Sequence, residues 1–126
     1  MGKIILDVID VCKSFSYGSN NLEVLKNFTL QLNKKEIITI SGQSGCGKST
    51  ALNIMGTLDR QDSGTISFEG IDINKLDENS LANFRNTKIG FVFQFHHLLP
   101  ELTALENVSI PLWIKGAPFL ENELID

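Results

Sequence analysis

The chain is poor in cysteine: Cys12 and Cys46 are its only two, with neither CxxC spacing nor a matching histidine pattern. That excludes a disulfide framework and a zinc site built on cysteine pairs, and makes a reducing cytoplasm the simplest expected setting. Long apolar runs are missing too. None approaches the roughly 18–20 residues a helix needs to cross a bilayer, so any membrane role is expected to come through a partner. The opening residues lack the basic, apolar and small-residue order of a secretory signal. Leu6 stands where a myristoylation pattern beginning at Met1-Gly2 needs Ser or Thr. Basic charge is scarce, with 11 Lys and Arg against 15 Asp and Glu and a net charge of −4. That balance argues against a general nucleic-acid binder, which needs a basic face. Residues 1–90 hold ten basic and ten acidic groups, and residues 91–126 one lysine and five acids, so the excess lies at the end.

What is present suits a soluble globular chain: 126 residues, 42% hydrophobic and 21% charged. Ile4 to Val11 is β-branched and partly alternating, a first strand. Ser16 to Asn21 has loop composition, and Phe28 to Leu32 alternates as a half-buried strand does. Ile37-Ile38-Thr39-Ile40 is apolar without alternation, as in a strand covered on both faces. A helix is expected from Ser49 to Met55, with short strands at 65–68 and 71–73 about Glu69-Gly70. A second helix is expected over 77–87 and a further strand over 89–93. Thr103-Ala104-Leu105-Glu106 matches a capping box and predicts a helix that Pro111 and Pro118 limit. Phe119 to Asp126 reads as the start of another helix with no natural end, the pattern of a truncated sequence.

Between the apolar run at 37–40 and the helix at 49–55 lies Gly42-Gln43-Ser44-Gly45-Cys46-Gly47-Lys48-Ser49-Thr50, a match to Gly-x-x-x-x-Gly-Lys-Ser. Each residue type has a chemical reason. Gly45 and Gly47 allow the backbone to turn tightly, so that N–H groups point inward. The following helix adds free N–H donors and the positive end of its dipole. Lys48 supplies a mobile charge for β- and γ-phosphates, and Ser49 a hydroxyl for Mg²⁺. The plain alternative is a chance match in a glycine-containing turn. The strand–loop–helix context favours a site for a nucleoside triphosphate, ATP with Mg²⁺.

From this loop outward the chain resembles the ATP-binding subunits of ABC transporters. The resemblance rests on the phosphate loop; on Tyr17 in Lys13-Ser14-Phe15-Ser16-Tyr17-Gly18; on Asp62-Ser63-Gly64-Thr65-Ile66; and on Gln94 after Ile89-Gly90-Phe91-Val92-Phe93. The stretch from Gln94 to Val108 is similar to the ATPases of bacterial lipoprotein-releasing systems. Macrolide-export and cell-division ATPases share part of it. The resemblance implies an α/β fold: a P-loop NTPase core of the ABC ATPase type with an N-terminal antiparallel β-subdomain. Residues 1–126 would form the N-terminal portion of one ATP-binding domain, ending before the signature and Walker B motifs, with the general base beyond Asp126. It implies that Tyr17 stacks on adenine and that Gln94 acts at Mg²⁺ beside Ser49. It further implies a homodimer of ATPase subunits beneath two integral membrane subunits, peripheral on the cytoplasmic face of the inner membrane. In the complete protein, ATP hydrolysis would release lipoproteins, and the segment from Gln94 to Asn107 would touch the membrane partner. Residues 1–126 alone are expected to bind ATP without sustained hydrolysis.

Other residues invite weaker readings. His96 and His97 are adjacent, and neighbouring side chains on an extended loop diverge, so a surface or partner-facing place is expected rather than a metal site. Cys46 is a small residue tolerated in the loop, although the loop N–H groups and Lys48 would favour its thiolate. Leu112 and Trp113 are expected in a core. The run Ile4-Ile5-Leu6-Asp7 imitates a Walker B strand but precedes the phosphate loop, and reads as an ordinary first strand. A small P-loop kinase is a competing reading, but 36 residues precede Ile37, where such kinases usually open with that strand. A non-catalytic nucleotide-sensing module is a third.

Overall fold

The computed structural model describes residues 2–116. They divide into two compact units, the first ending at Leu81 and the second beginning at Ala82. Pro118 and the helix expected from Phe119 lie outside the described residues.

The first unit is an antiparallel sheet with a helix on one face. Strand β1 runs Ile4–Tyr17 and β2 Asn20–Asn33, both far longer than the apolar pattern suggested. They are joined by Gly18-Ser19, with Tyr17 opposite Asn20. Gly18 has φ of 61°, as the first central position of a two-residue hairpin turn requires. The loop expected over 16–21 therefore shrinks to two residues, because backbone pairing carries the strands past their apolar stretch. Strand β3, Ser63–Phe68, pairs with the other side of β1, and β4, Ile71–Asp72, with β3, giving the order β2-β1-β3-β4. A single 3-10 turn, Ile73–Lys75, takes over where the strand at 71–73 was expected to continue. Its Asp72 carboxylate accepts from the Asn74 amide at 2.9 Å.

Helix α1, Lys48–Met55, lays Ala51, Ile54 and Met55 against Leu6, Val8, Val11, Leu25 and Ile66. Val8, Val11 and Ile66 are wholly buried. Each such side chain contributes about 1.5–3 kcal/mol over its exposed state, so this face fixes α1 on the sheet. Gly56 caps the helix at φ −79°, and Thr57 behind it takes the left-handed conformation at φ 63°. Thr57 N–H donates to the Ile54 carbonyl and Leu58 N–H to that of Asn53, a Schellman closure.

The register of β1 slips between Ile9 and Cys12 against β3. Gly64 fits this bulge: at φ 88°, a Cβ there would lie 2.5 Å from the Asp10 carbonyl oxygen. The Asp62-Ser63-Gly64 turn thus enters the sheet only because position 64 has no side chain.

Helix α2 runs Glu78–Lys88, with Asp77 at its N-terminus accepting from the Ser80 amide at 2.7 Å. In the second unit, α3 runs Ala104–Ile114 and opens with the expected capping box. Thr103 Oγ1 accepts from Glu106 N–H at 3.1 Å, and the Glu106 carboxylate accepts from Thr103 N–H at 2.7 Å. The Asn107 amide donates to the carbonyls of Leu99, Leu102 and Thr103, and its oxygen accepts from Leu99 N–H at 2.8 Å. Asn107 therefore holds the turn before α3 in place. Phe91 stacks on Phe93, which meets His97 edge to face at 4.7 Å.

Four expectations are corrected. Residues 37–40 and 89–93 are not strands. A strand needs a neighbour for its backbone groups, and no described segment pairs with either, so Ile37 is 93% exposed. Pro111 lies inside α3 instead of limiting it. Its missing N–H costs one helix bond, but its carbonyl still accepts from Lys115 N–H and from the Asn86 amide. Trp113 is exposed at the end of α3 rather than set in a core.

Candidate functional site

The loop at 42–50 takes the form its residue types demand. Gly45 and Gly47 have φ of 80° and 97°, and Gly47 is the N-cap of α1. No side chain caps α1, so the N–H groups of its first turn stay open to a ligand. A Cβ at Gly47 would meet Val24 Cγ1 at 2.9 Å and the Val24 carbonyl at 3.0 Å, so the loop passes directly against β2. At Gly45 a Cβ would meet nothing within 4 Å. Lys48 Nζ donates to the carbonyls of Gly42 at 2.7 Å and Gln43 at 2.6 Å, and lies 3.6 Å from Cys46 Sγ.

An open cleft of about 330 Å³ lies over the loop. It is lined by Ser44, Gly45, Gly47, Lys48, Ser49 and Thr50 of the loop and α1 and by Phe15, Tyr17 and Val24 of the β1–β2 hairpin. Backbone donors, one cation and three loop hydroxyls thus share the cleft with two aromatic rings. The donor set fits a triphosphate with Mg²⁺: Lys48 and the loop amides suit phosphate oxygens, and the Ser49 hydroxyl suits a hard cation. The aromatic rings suit a flat base.

The sequence-predicted residues divide accordingly. Tyr17, Ser44, Gly45, Gly47, Lys48, Ser49 and Thr50 share the cleft. Gly42 and Gln43 serve through the carbonyls that hold Lys48, and Cys46 is exposed beside them. Gln94, in the second unit, lies in an exposed irregular segment together with His96 and His97. Phe15 and Val24 were not anticipated. Phe15 is half-buried whereas Tyr17 is 66% exposed, so Phe15 offers the steadier ring. Its signal was present in the sequence, since Phe15 and Tyr17 stand two apart on a strand and share a face.

The fold and the loop define a P-loop nucleotide site beside an antiparallel hairpin, and the comparisons agree. The sequence model of the ABC transporter family matches residues 25–124, and the chain belongs to that family. It is 54% identical over 112 residues to the lipoprotein-releasing system ATP-binding protein LolD of Geobacter metallireducens, covering 89% of this chain and 50% of the relative. It is 56% identical over 101 residues to LolD of Bacteroides thetaiotaomicron, covering 80% and 45%. Among solved structures it is similar to MJ0796, a bacterial ABC transporter cassette seen as a dimer, at 41% identity and a TM-score of 0.86. That match covers 95% of this chain and 52% of the cassette. A post-hydrolysis state of the same cassette, bound to ADP and Pi, matches equally. The chain therefore spans about half the length of the relatives it matches. No helix among the described residues is long and apolar enough to cross a membrane.

Proposed function

We propose that the chain is the N-terminal portion of an ATP-binding domain, and that the whole protein is the ATPase subunit of a lipoprotein-releasing ABC transporter. The observation that carries the reading is the cleft: one cation, three loop hydroxyls and open helix N–H groups, together with two aromatic rings. The LolD relatives support lipoproteins as cargo, and the dimeric cassette supports a pair of ATPase subunits. Integral membrane subunits and a place on the cytoplasmic face of the inner membrane follow from the same reading. Exposed Phe95, Leu98 and Leu99 support the segment 94–107 as the part facing such a partner.

In this reading the loop amides and Lys48 bind the phosphates, and Phe15 and Tyr17 hold the base. The Ser49 hydroxyl would hold Mg²⁺. Held there, the cation would supply charge neutralisation on the phosphate oxygens. Lys48 must leave the Gly42 and Gln43 carbonyls to reach a phosphate, so it switches partners on binding. Calorimetric titration with Mg²⁺-ATP tests the assignment. A charge-assisted hydrogen bond contributes roughly 1.5–3 kcal/mol, so Lys48→Ala is expected to lower affinity about ten- to a hundredfold. Equal affinity in the two chains would falsify the phosphate-site reading.

A further inference from the structure

Lys13 is only 13% exposed, unusually low for a lysine, and does not line the cleft. Its ammonium has four partners. It donates to the Arg60 carbonyl at 2.7 Å and to Asp59 Oδ1 at 3.4 Å, and lies 3.8 Å from Asp62 Oδ1. It also sits 5.2 Å from the centroid of the Phe15 ring, within reach of a cation–π contact. Backbone bonds reinforce the same junction. Ser14 N–H donates to Asp62 Oδ2 at 2.7 Å, and Asp62 N–H to the Cys12 carbonyl at 2.9 Å. The segment 59–62 follows α1, whose first turn carries Lys48 and Ser49. It is fastened to β1 next to Phe15, an aromatic that lines the cleft.

We infer that Lys13 is a positioning residue for the nucleobase: it fixes the Phe15 ring through its ammonium and ties that ring to the segment leaving the phosphate-binding helix. The inference rests on the nucleotide reading of the cleft. An aromatic free to change rotamer loses part of its stacking on each departure from the bound geometry. A cation over the ring, itself held by two carboxylates and a carbonyl, leaves Phe15 fewer alternatives. Three polar partners also explain why a strand residue outside the cleft is a lysine and not an apolar residue: a neutral side chain would leave Asp59, Asp62 and the Arg60 carbonyl without their shared donor.

The role predicts an effect on the base and none on the phosphates. Full chains carrying Lys13→Met and Lys13→Arg are titrated with Mg²⁺-ATP and with Mg²⁺-tripolyphosphate, which has no base. Lys13→Met is expected to weaken ATP about three- to tenfold while leaving tripolyphosphate unchanged. Lys13→Arg, which keeps the cation and its carboxylate partners, is expected to restore ATP affinity. If circular dichroism shows Lys13→Met unfolded, Asp59→Asn replaces it, since that side chain is 41% exposed and asparagine keeps an oxygen for the Arg60 N–H while removing the charge that holds the ammonium. The same selective loss is expected there. Parallel losses for ATP and tripolyphosphate, or unchanged ATP affinity, overturn the inference and leave the nucleotide reading standing. A wild-type chain that binds neither ligand overturns both.

Discussion

Replacing Gly47 by Ala tests how the phosphate loop is seated on the hairpin. Two costs add at this position. The first is conformational, since φ is 97° and a left-handed backbone costs an ordinary residue roughly 1–2 kcal/mol. The second is spatial. The new methyl would lie 2.9 Å from Val24 Cγ1 and 3.2 Å from Leu25 Cδ2, which can shift, but also 3.0 Å from the Val24 carbonyl. That carbonyl belongs to β2, which is paired along its length with β1, so the loop must yield instead. Overpacking of this kind costs roughly 1–3 kcal/mol, for a total of about 2–5 kcal/mol. Gly45→Ala is the internal control. Its φ of 80° carries the same conformational cost, but its methyl meets nothing. Urea unfolding followed by circular dichroism should rank Gly47→Ala as the less stable chain by about 1–3 kcal/mol. Titration with Mg²⁺-ATP should still show Gly45→Ala impaired, because Gly45 lines the cleft and its φ of 80° would be strained by a side chain. Equal stability of the two variants would refute the argument that β2 sets the height of the loop.

Three further outcomes are expected. Gly64→Ala places a methyl 2.5 Å from the Asp10 carbonyl oxygen and 2.7 Å from that of Ile9. Both are backbone atoms, so the midpoint of urea unfolding should fall by the equivalent of about 3 kcal/mol or more; a smaller loss than at Gly47 would contradict the bulge geometry. The Ser80 backbone and side chain, then the Asn79 amide, bond the Asp77 carboxylate and hold its pKa below the ordinary 3.8. The bonded carboxylate therefore stabilises α2 above that value and stops doing so as pH falls through its lowered folded value. Acid titration of stability should show this slope in the wild type and not in Asp77→Ala. Exposed Cys46 should alkylate more slowly in Mg²⁺-ATP, whereas half-buried Cys12, with its sulfur 3.4 Å from Asn27 Oδ1, should react at a rate independent of nucleotide. Peptide mass spectrometry reads both sites in one sample, and an unchanged rate at Cys46 counts against a ligand wrapped by the loop.

The phosphate loop was legible because its chemistry is local: two glycines, a lysine and a serine at fixed spacing specify a turn that needs no distant partner. The capping box at Thr103 and Glu106 was legible for the same reason. Strand limits were not, because pairing extends beyond apolar alternation. Ser16, Asn20 and Asn21 join the ladder through backbone groups that any sequence supplies. The opposite error occurred at 37–40 and 89–93, where an apolar run promised a strand but no described segment pairs with it. Phe15 was passed over because Tyr17 offered the same chemistry two residues on. Only the cleft shows both rings, and burial together with the Lys13 ammonium sets Phe15 apart from Tyr17.

The posture of Lys48 has a thermodynamic consequence. Its ammonium begins with the Gly42 and Gln43 carbonyls as ligands, so an arriving phosphate enters a substitution reaction and not an addition. Two short bonds are surrendered as new ones form, and the observed heat reports only their difference. The loop thereby carries a built-in competitor at fixed local concentration, one that no dialysis removes. In the proposed nucleotide reading, a weak anion would lose that competition and a multiply charged phosphate chain would win it, so the lysine would discriminate among anions by charge.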